Sequence, residues 1–97
     1  MKTIYKYSIG ATRTQRIEMP TDAKVLSVQC QAGEPYIWVM VETDLPSKPR
    51  AFMLVGTGHF CSDLGGNARY IGTFQIQAGA LVFHLFDLGY DSDEVAS

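Results

Sequence analysis

Side chains alternate between apolar and polar along most of this 97-residue chain, and this period of two constrains its fold more than any other feature. Successive side chains of a strand point to opposite faces, so the period is typical of β-structure. No segment shows the apolar spacing of an amphipathic helix over more than a turn. The sequence therefore predicts an all-β domain, a small antiparallel β-sandwich or barrel of about seven strands. The predicted strands are 2–9, 13–19, 24–31, 36–43, 50–55, 69–77 and 80–87.

Length and charge predict one domain with an acidic end. A hydrophobic content of 46% is typical of an ordered globular chain of this size. The last eleven residues carry four of the ten acids: Asp87, Asp91, Asp93 and Glu94. We predict a single β domain over 1–87 and an acidic, flexible tail over 88–97.

Two similar segments, "VQCQAG" (28–33) and "FQIQAG" (74–79), predict hairpins. In each, a glycine (Gly33 or Gly79) supplies the positive φ of the turn. In the third strand, alternation predicts that three side chains point inward: Leu26, Val28 and Cys30.

Composition argues against several classes of function. The net charge of −2, without a cluster of Lys and Arg, predicts no nucleic-acid partner. No apolar run approaches the ~20 residues that cross a bilayer, and the first residues lack a signal peptide, so we expect a cytosolic protein without a membrane partner. The two cysteines form no CxxC pair and are expected to be free thiols.

The segment "VGTGHF" (55–60) opens the longest stretch without a strand pattern, 56–68. Two glycines after a strand favour a strand-end turn or bulge, and a loop that holds a phosphate is the alternative. His59, Cys61 and Asp63 alternate and are metal-ligand types, but three alternating positions of one strand rarely converge on an ion. We therefore predict no metal. We also predict no cofactor and no catalytic residue, because no family signature surrounds Cys61, and a cysteine- or metal-dependent enzyme is the third alternative. The candidates for binding a ligand or partner are Gly56, Thr57, Gly58, His59, Asp63 and Arg69.

Two predicted strands are apolar on both faces, 36–41 and 80–86. A small two-sheet domain covers one face of each sheet, so the second face needs a loop or another chain. This predicts a partner surface, and a homodimer as the simplest way to cover it. The candidates for the dimer or partner interface are Tyr36, Trp38, His84 and Phe86.

Five segments, "KTIYKY", "IEMP", "VGTGH", "YIGTFQ" and "ALVFHLF", together resemble a family of small uncharacterised bacteriophage and prophage proteins. The resemblance extends from about residue 2 to residue 86. It implies a phage accessory protein that acts in the cytoplasm of the bacterial host. We accordingly expect a binding protein, not an enzyme, that acts on a host protein complex, such as an anti-CRISPR-type inhibitor of defence. The alternative is a protein that sequesters a small ligand or nucleotide at the Gly56–Gly58 loop.

Overall fold

The computed structural model describes residues 1–91 as seven strands in two antiparallel sheets. The first sheet has the order β1-β4-β3 and the second the order β2-β5-β7-β6. The two sheets pack as a sandwich and do not close into a barrel, so the predicted all-β class is confirmed. The strands are β1 (Lys2–Ser8), β2 (Thr14–Pro20), β3 (Lys24–Gln31), β4 (Glu34–Glu42), β5 (Ser47–Gly56), β6 (Arg69–Ile76) and β7 (Leu81–Tyr90).

The core lies between the sheets and is built from alternate residues of each strand. In β4, the centre of the first sheet, every second side chain is fully buried: Ile37, Val39 and Val41. Phe52 of β5 and Leu85 of β7 face them from the second sheet and are also inaccessible. Each such side chain stabilises the fold by roughly 1.5–3 kcal/mol. The residues between them in β4 point away from the core, which decides where the exposed aromatic side chains lie.

The two predicted hairpins are confirmed by their turn geometry. Between β3 and β4, Ala32 and Gly33 both have positive φ, 54° and 82°, as in the two-residue turns that match strand twist. Between β6 and β7, Gly79 has a φ of 89°.

The predicted inward side chains of β3 are only partly right. A bulge shifts the register between Val25 and Ser27, so that Val25 and Val28 are buried and Leu26 is exposed. Cys30 was also predicted to be buried and is exposed, because it lies beyond the core near the β3–β4 turn. Its Sγ donates to the carbonyl of Gln75 in β6 at 3.1 Å.

Strands β3 and β6 come together at one edge of the sandwich. A Cβ on Gly72 of β6 would lie 2.8 Å from Cγ1 of Val28 in β3, so the backbone approaches closely only because this residue is glycine. Cys30 and Gln75, which lie farther along β3 and β6, are also in contact. The two strands therefore run in the same direction and start at the same end of the molecule. Lys24 and Arg69, the first residues of these strands, therefore lie at that end.

A buried ion pair joins β5 to β7. Arg50 donates to Asp87 twice, at 3.0 Å through Nε and 2.6 Å through Nη2, and to the carbonyl of Ala23 at 2.6 Å. Burial alone would lower the pKa of Arg50, but the hydrogen bonds and charge of Asp87, with a contribution from Tyr90, outweigh it and raise the pKa. The Tyr90 ring lies 4.7 Å from the guanidinium, and its hydroxyl contacts Pro20 and Ala23. These bonds tie the turn between β2 and β3 to the second sheet.

Strand β7 continues beyond the predicted domain end at residue 87. Residues 88–90 are part of the strand, with Gly89 opposite Ala51 and Tyr90 opposite Arg50, so the tail cannot start at 88. Asp91 follows and donates its amide to the carbonyl of Pro49. The rest of the predicted tail, 92–97, lies outside the described residues.

Candidate functional site

The outer face of the first sheet carries a cluster of aromatic and apolar side chains outside the core. Tyr36, Trp38 and Met40 of β4 alternate with buried residues and point outward, half-buried. Ile4 of β1 pairs with Met40, points the same way and is 52% exposed. Lysines surround these four residues. We call this surface the aromatic face; it consists of Ile4, Tyr36, Trp38 and Met40 with Lys2, Lys6 and Lys24.

The aromatic rings of this face are held by neighbours. Tyr36 and Trp38 meet edge to face, with ring centroids 6.2 Å apart. The Lys6 ammonium lies 4.5 Å above the Tyr36 ring and donates to Oε1 of Gln31 at 2.8 Å. Edge-to-face pairs and a cation over a ring each contribute roughly 0.5–1.5 kcal/mol. The face is therefore a shaped surface of fixed side chains.

A cleft of about 460 Å³ adjoins this face at the end of the sandwich. Lys2 of β1, Lys24 of β3 and Arg69 of β6 all line it, with the acids Asp22 and Glu42. Within residues 1–91, none of these three cations forms an ion pair, whereas Glu42 accepts from the Met1 ammonium at 3.1 Å. That contact and the one with Asp44 raise the pKa of the Met1 amino group. We call this cleft, lined by Lys2, Lys24 and Arg69, the cationic cleft.

On the outer face of the second sheet, unlike that of the first, outward-pointing side chains are buried. Met53 and Val55 of β5 pair with Phe86 and His84 and point outward, yet both are 5% exposed and lie outside the core cluster. Segment 57–68 joins the end of β5 to the start of β6, which runs parallel to it on the far side of β7. The connection must therefore cross this face, and we infer that it covers both side chains.

The crossing segment is anchored at its middle by Arg13. This side chain donates to the carbonyl of Phe60 at 3.1 Å and to Oδ1 of Asp63 at 2.8 Å. The ion pair is half-exposed, so its own contribution to stability is about 0–1 kcal/mol. We call segment 57–68 the crossover and the surface beneath it, which includes Met53, Val55, His84 and Phe86, the covered face.

A chain of hydrogen bonds on the covered face joins the start of the crossover to the sheet. His84 contacts Oγ1 of Thr57 through Nε2 at 2.7 Å and Oγ1 of Thr73 through Nδ1 at 2.8 Å. The Tyr70 hydroxyl contacts the same oxygen of Thr73 at 2.5 Å. Tyr70 and Thr73 point to one side, although three residues apart, because a bulge shifts the register of β6 between Tyr70 and Gly72.

This arrangement suits a structural clasp better than a catalytic site. Each ring nitrogen of His84 meets a hydroxyl, a group that can both donate and accept a hydrogen bond. The group at Nδ1 is a hydroxyl and not the carboxylate that stabilises an imidazolium in hydrolase triads. The ring therefore satisfies two hydroxyls and fixes the first residue of the crossover.

The predicted ligand-binding residues do not form one site. Gly56, Thr57 and His59 lie together at a cleft of about 210 Å³, where the His59 ring occupies the space next to Gly56. The amides of Thr57 and His59 donate to carbonyls of Val82 and Gly56, which leaves them unable to bind a phosphate. Gly58 has a φ of 87°, as a turn requires.

The remaining predicted ligand residues lie elsewhere. Asp63 is paired with Arg13, and Arg69 lines the cationic cleft. Residues 1–91 contain no group of three potential metal ligands, so His59, Cys61 and Asp63 do not converge.

The predicted interface residues are divided between the two outer faces. Tyr36 and Trp38 lie on the aromatic face, whereas His84 and Phe86 lie on the covered face. A single twofold interface therefore cannot use both pairs.

Sequence reasoning missed the residues that complete each surface. Ile4, Met40, Lys2 and Lys24 alternate correctly in their strands, but only the register of β1, β3 and β4 places them side by side. The role of Thr73 could not be predicted from the sequence, because its contact with His84 depends on the bulge in β6.

The profile of a family described as "Domain of unknown function (DUF7352)" matches residues 1–95. The chain belongs to this family. No curated protein and no solved structure matches it significantly. The description of DUF7352 assigns no activity. Residues 1–91 contain no helix long and apolar enough to cross a membrane.

Proposed function

We propose that this protein is a binding protein, without catalytic turnover, that engages a bacterial protein complex through the aromatic face. The observation that carries the proposal is the partial exposure of Tyr36, Trp38 and Met40 beside the exposed Ile4, as one continuous patch. Within the described chain no segment crosses this face, whereas the crossover crosses the opposite one. An apolar patch that a chain leaves uncovered marks an interaction site.

The composition of the aromatic face supports a protein partner. Tyrosine, tryptophan and methionine are enriched at the centres of protein interfaces, and charged residues are found at their rims. Here one tryptophan, one tyrosine and one methionine form the centre, with lysines at the edges. Trp38 has the properties of an anchor residue, because aromatic side chains at interface centres contribute most of the binding energy.

The resemblance to phage and prophage proteins supports a bacterial protein complex as the partner. The resemblance implies a phage protein that acts in the cytoplasm of the host, where the complexes that it meets include defence systems. We propose that binding inhibits such a complex, as an anti-CRISPR-type inhibitor does.

The experiment compares two exposed aromatic residues. Purified wild-type protein, Trp38→Ala and Phe60→Ala are used as baits in lysate of a bacterial host. Phe60 is 90% exposed on the crossover and is the matched control. We expect one complex to bind the wild type and Phe60→Ala and to be lost with Trp38→Ala.

Fluorescence gives the same test in purified form. Trp38 is the only tryptophan of the chain, so its emission reports directly on the aromatic face. Addition of the captured complex should shift this emission. Capture that is equal for all three baits would contradict the proposed binding face.

The homodimer predicted from the sequence stays a prediction. If two copies pair through the aromatic face, repulsion among the like charges of Lys2, Lys6 and Lys24 opposes that pairing. Light scattering at micromolar concentration tests this, since the monomer has a mass of 10.7 kDa.

A further inference from the structure

We infer that the cationic cleft binds carboxylate groups of an acidic segment of the partner protein, next to the contact made by the aromatic face. This inference rests on the proposed function and names the chemistry of the partner. Neither the sequence pattern nor the family description assigns a role to Lys2 or Lys24. It is the fold that places them beside Arg69.

The basic residues of this cleft differ from the three arginines outside it in their ion pairs. Arg13, Arg16 and Arg50 are each paired with an aspartate of the chain, at 2.8, 3.0 and 2.6 Å. The three cations of the cleft have no such partner within residues 1–91, although they lie around one cavity. An anion bound among these three cations would interact favourably with all of them.

The acids of the cleft do not neutralise it. Lys2, Lys24 and Arg69 supply three positive charges, and Asp22 and Glu42 supply two negative ones. Glu42 is also engaged by the Met1 ammonium at 3.1 Å. A positive charge therefore remains in the cleft of a protein whose net charge is −2.

The cleft is continuous with the aromatic face. Lys2 and Met40 line the cationic cleft and also the shallow groove beside Ile4. Lys24 pairs directly with Met40, one position along the face from Trp38. A bound segment that covers Trp38 and Met40 therefore extends into the cleft without a change of direction.

The rings of the face favour a protein segment over a single-stranded nucleic acid. Stacking of bases requires an accessible ring surface. The Tyr36 ring is capped by the Lys6 ammonium, and Trp38 meets Tyr36 edge to face. The aliphatic side chains of Ile4 and Met40 on this face suit apolar side chains of a peptide.

The test uses a hexaglutamate peptide as the probe and amide chemical shifts of the wild-type protein as the readout. We expect the peptide to perturb Lys2, Lys24, Arg69 and the indole of Trp38, and the affinity to fall when the salt concentration is raised to about 0.15 M. Shifts confined to other residues would overturn the inference.

Two double variants of equal net charge separate the cleft from general charge. Lys24→Gln with Arg69→Gln removes two cations of the cleft, and Arg13→Gln with Arg16→Gln removes two cations elsewhere. We expect a loss of affinity of about 10-fold for the cleft variant and less than about 2-fold for the control. Equal losses would overturn the inference, as would an oligothymidylate of about 12 nucleotides that binds the wild type more tightly than the peptide.

Capture from lysate separates the two proposals. If the cleft variant retains the complex that Trp38→Ala loses, the cleft inference fails and the proposed function stands. If Trp38→Ala and the cleft variant both retain it, the proposed function fails as well. Loss with both variants, with retention by the arginine control, supports both proposals.

Discussion

The outer faces of the two sheets carry similar side chains and differ in what lies over them. On the aromatic face, Trp38 and Met40 remain accessible beside lysines. On the covered face, Met53 and Val55 are buried, and a histidine with two threonines fixes the crossover that passes above. The comparison teaches that the outer face of a strand that is apolar on both sides is covered by the chain itself in one sheet and left partly accessible in the other.

The largest difference is expected between two methionines. Met53→Ala should destabilise the protein by about 2–4 kcal/mol, because it leaves a cavity beneath the crossover. Met40→Ala on the aromatic face should cost less than about 1 kcal/mol, since this side chain is half-buried. Urea denaturation measures both. Equal costs would show that the two faces are covered to the same extent.

A smaller difference is expected between the two histidines. His84→Phe keeps an aromatic ring but removes the contacts with Thr57 and Thr73, and should cost about 0.5–1.5 kcal/mol because two exposed hydroxyls each lose one hydrogen bond. His59→Phe changes an exposed ring and should stay within about 0.5 kcal/mol. Thermal unfolding of both variants measures the difference. A His84→Phe protein as stable as the wild type would mean that the clasp contributes nothing to the covered face.

The smallest effect is expected at the anchor of the crossover. Arg13→Gln removes the contact with Asp63 and should lower stability by less than about 1 kcal/mol, because the pair is half-exposed. Hydrogen exchange should nevertheless become faster in 57–68 and stay unchanged in β4, since local opening does not require global unfolding. Exchange that is unchanged in both regions would show that Arg13 does not hold the crossover.

The strands were predictable because alternation is a local signal. All seven follow from the printed sequence within a few residues, and so do the turns at Gly33 and Gly79. The bulge in β3 was not predictable, because "KVLSV" has apolar residues in both phases of a period-two pattern. Only the pairing with β4 decides that Val25 and Val28 point inward and Leu26 does not.

The candidate sites were less predictable, because they depend on contacts between distant strands. Trp38 and Tyr36 could be identified from their own strand, but the lysines of the cationic cleft come from β1 and β3 and the arginine from β6. The Gly56–Gly58 segment has the composition of a phosphate loop. The amides of Thr57 and of the adjacent His59, however, already donate to carbonyls of the chain. Composition alone does not say which backbone groups remain available.

The position of β7 in the second sheet has a consequence for synthesis of the protein. This strand lies between β5 and β6, although both precede it in the sequence. While residues 81–90 are still inside the ribosome, β5 and β6 lack the neighbour that joins them, and Arg50 lacks Asp87. The nascent chain can form the first sheet early, but the four-stranded sheet can form only after β7 has emerged. During translation, the strand edges of β5 and β6 are therefore exposed longest to chaperones and to aggregation.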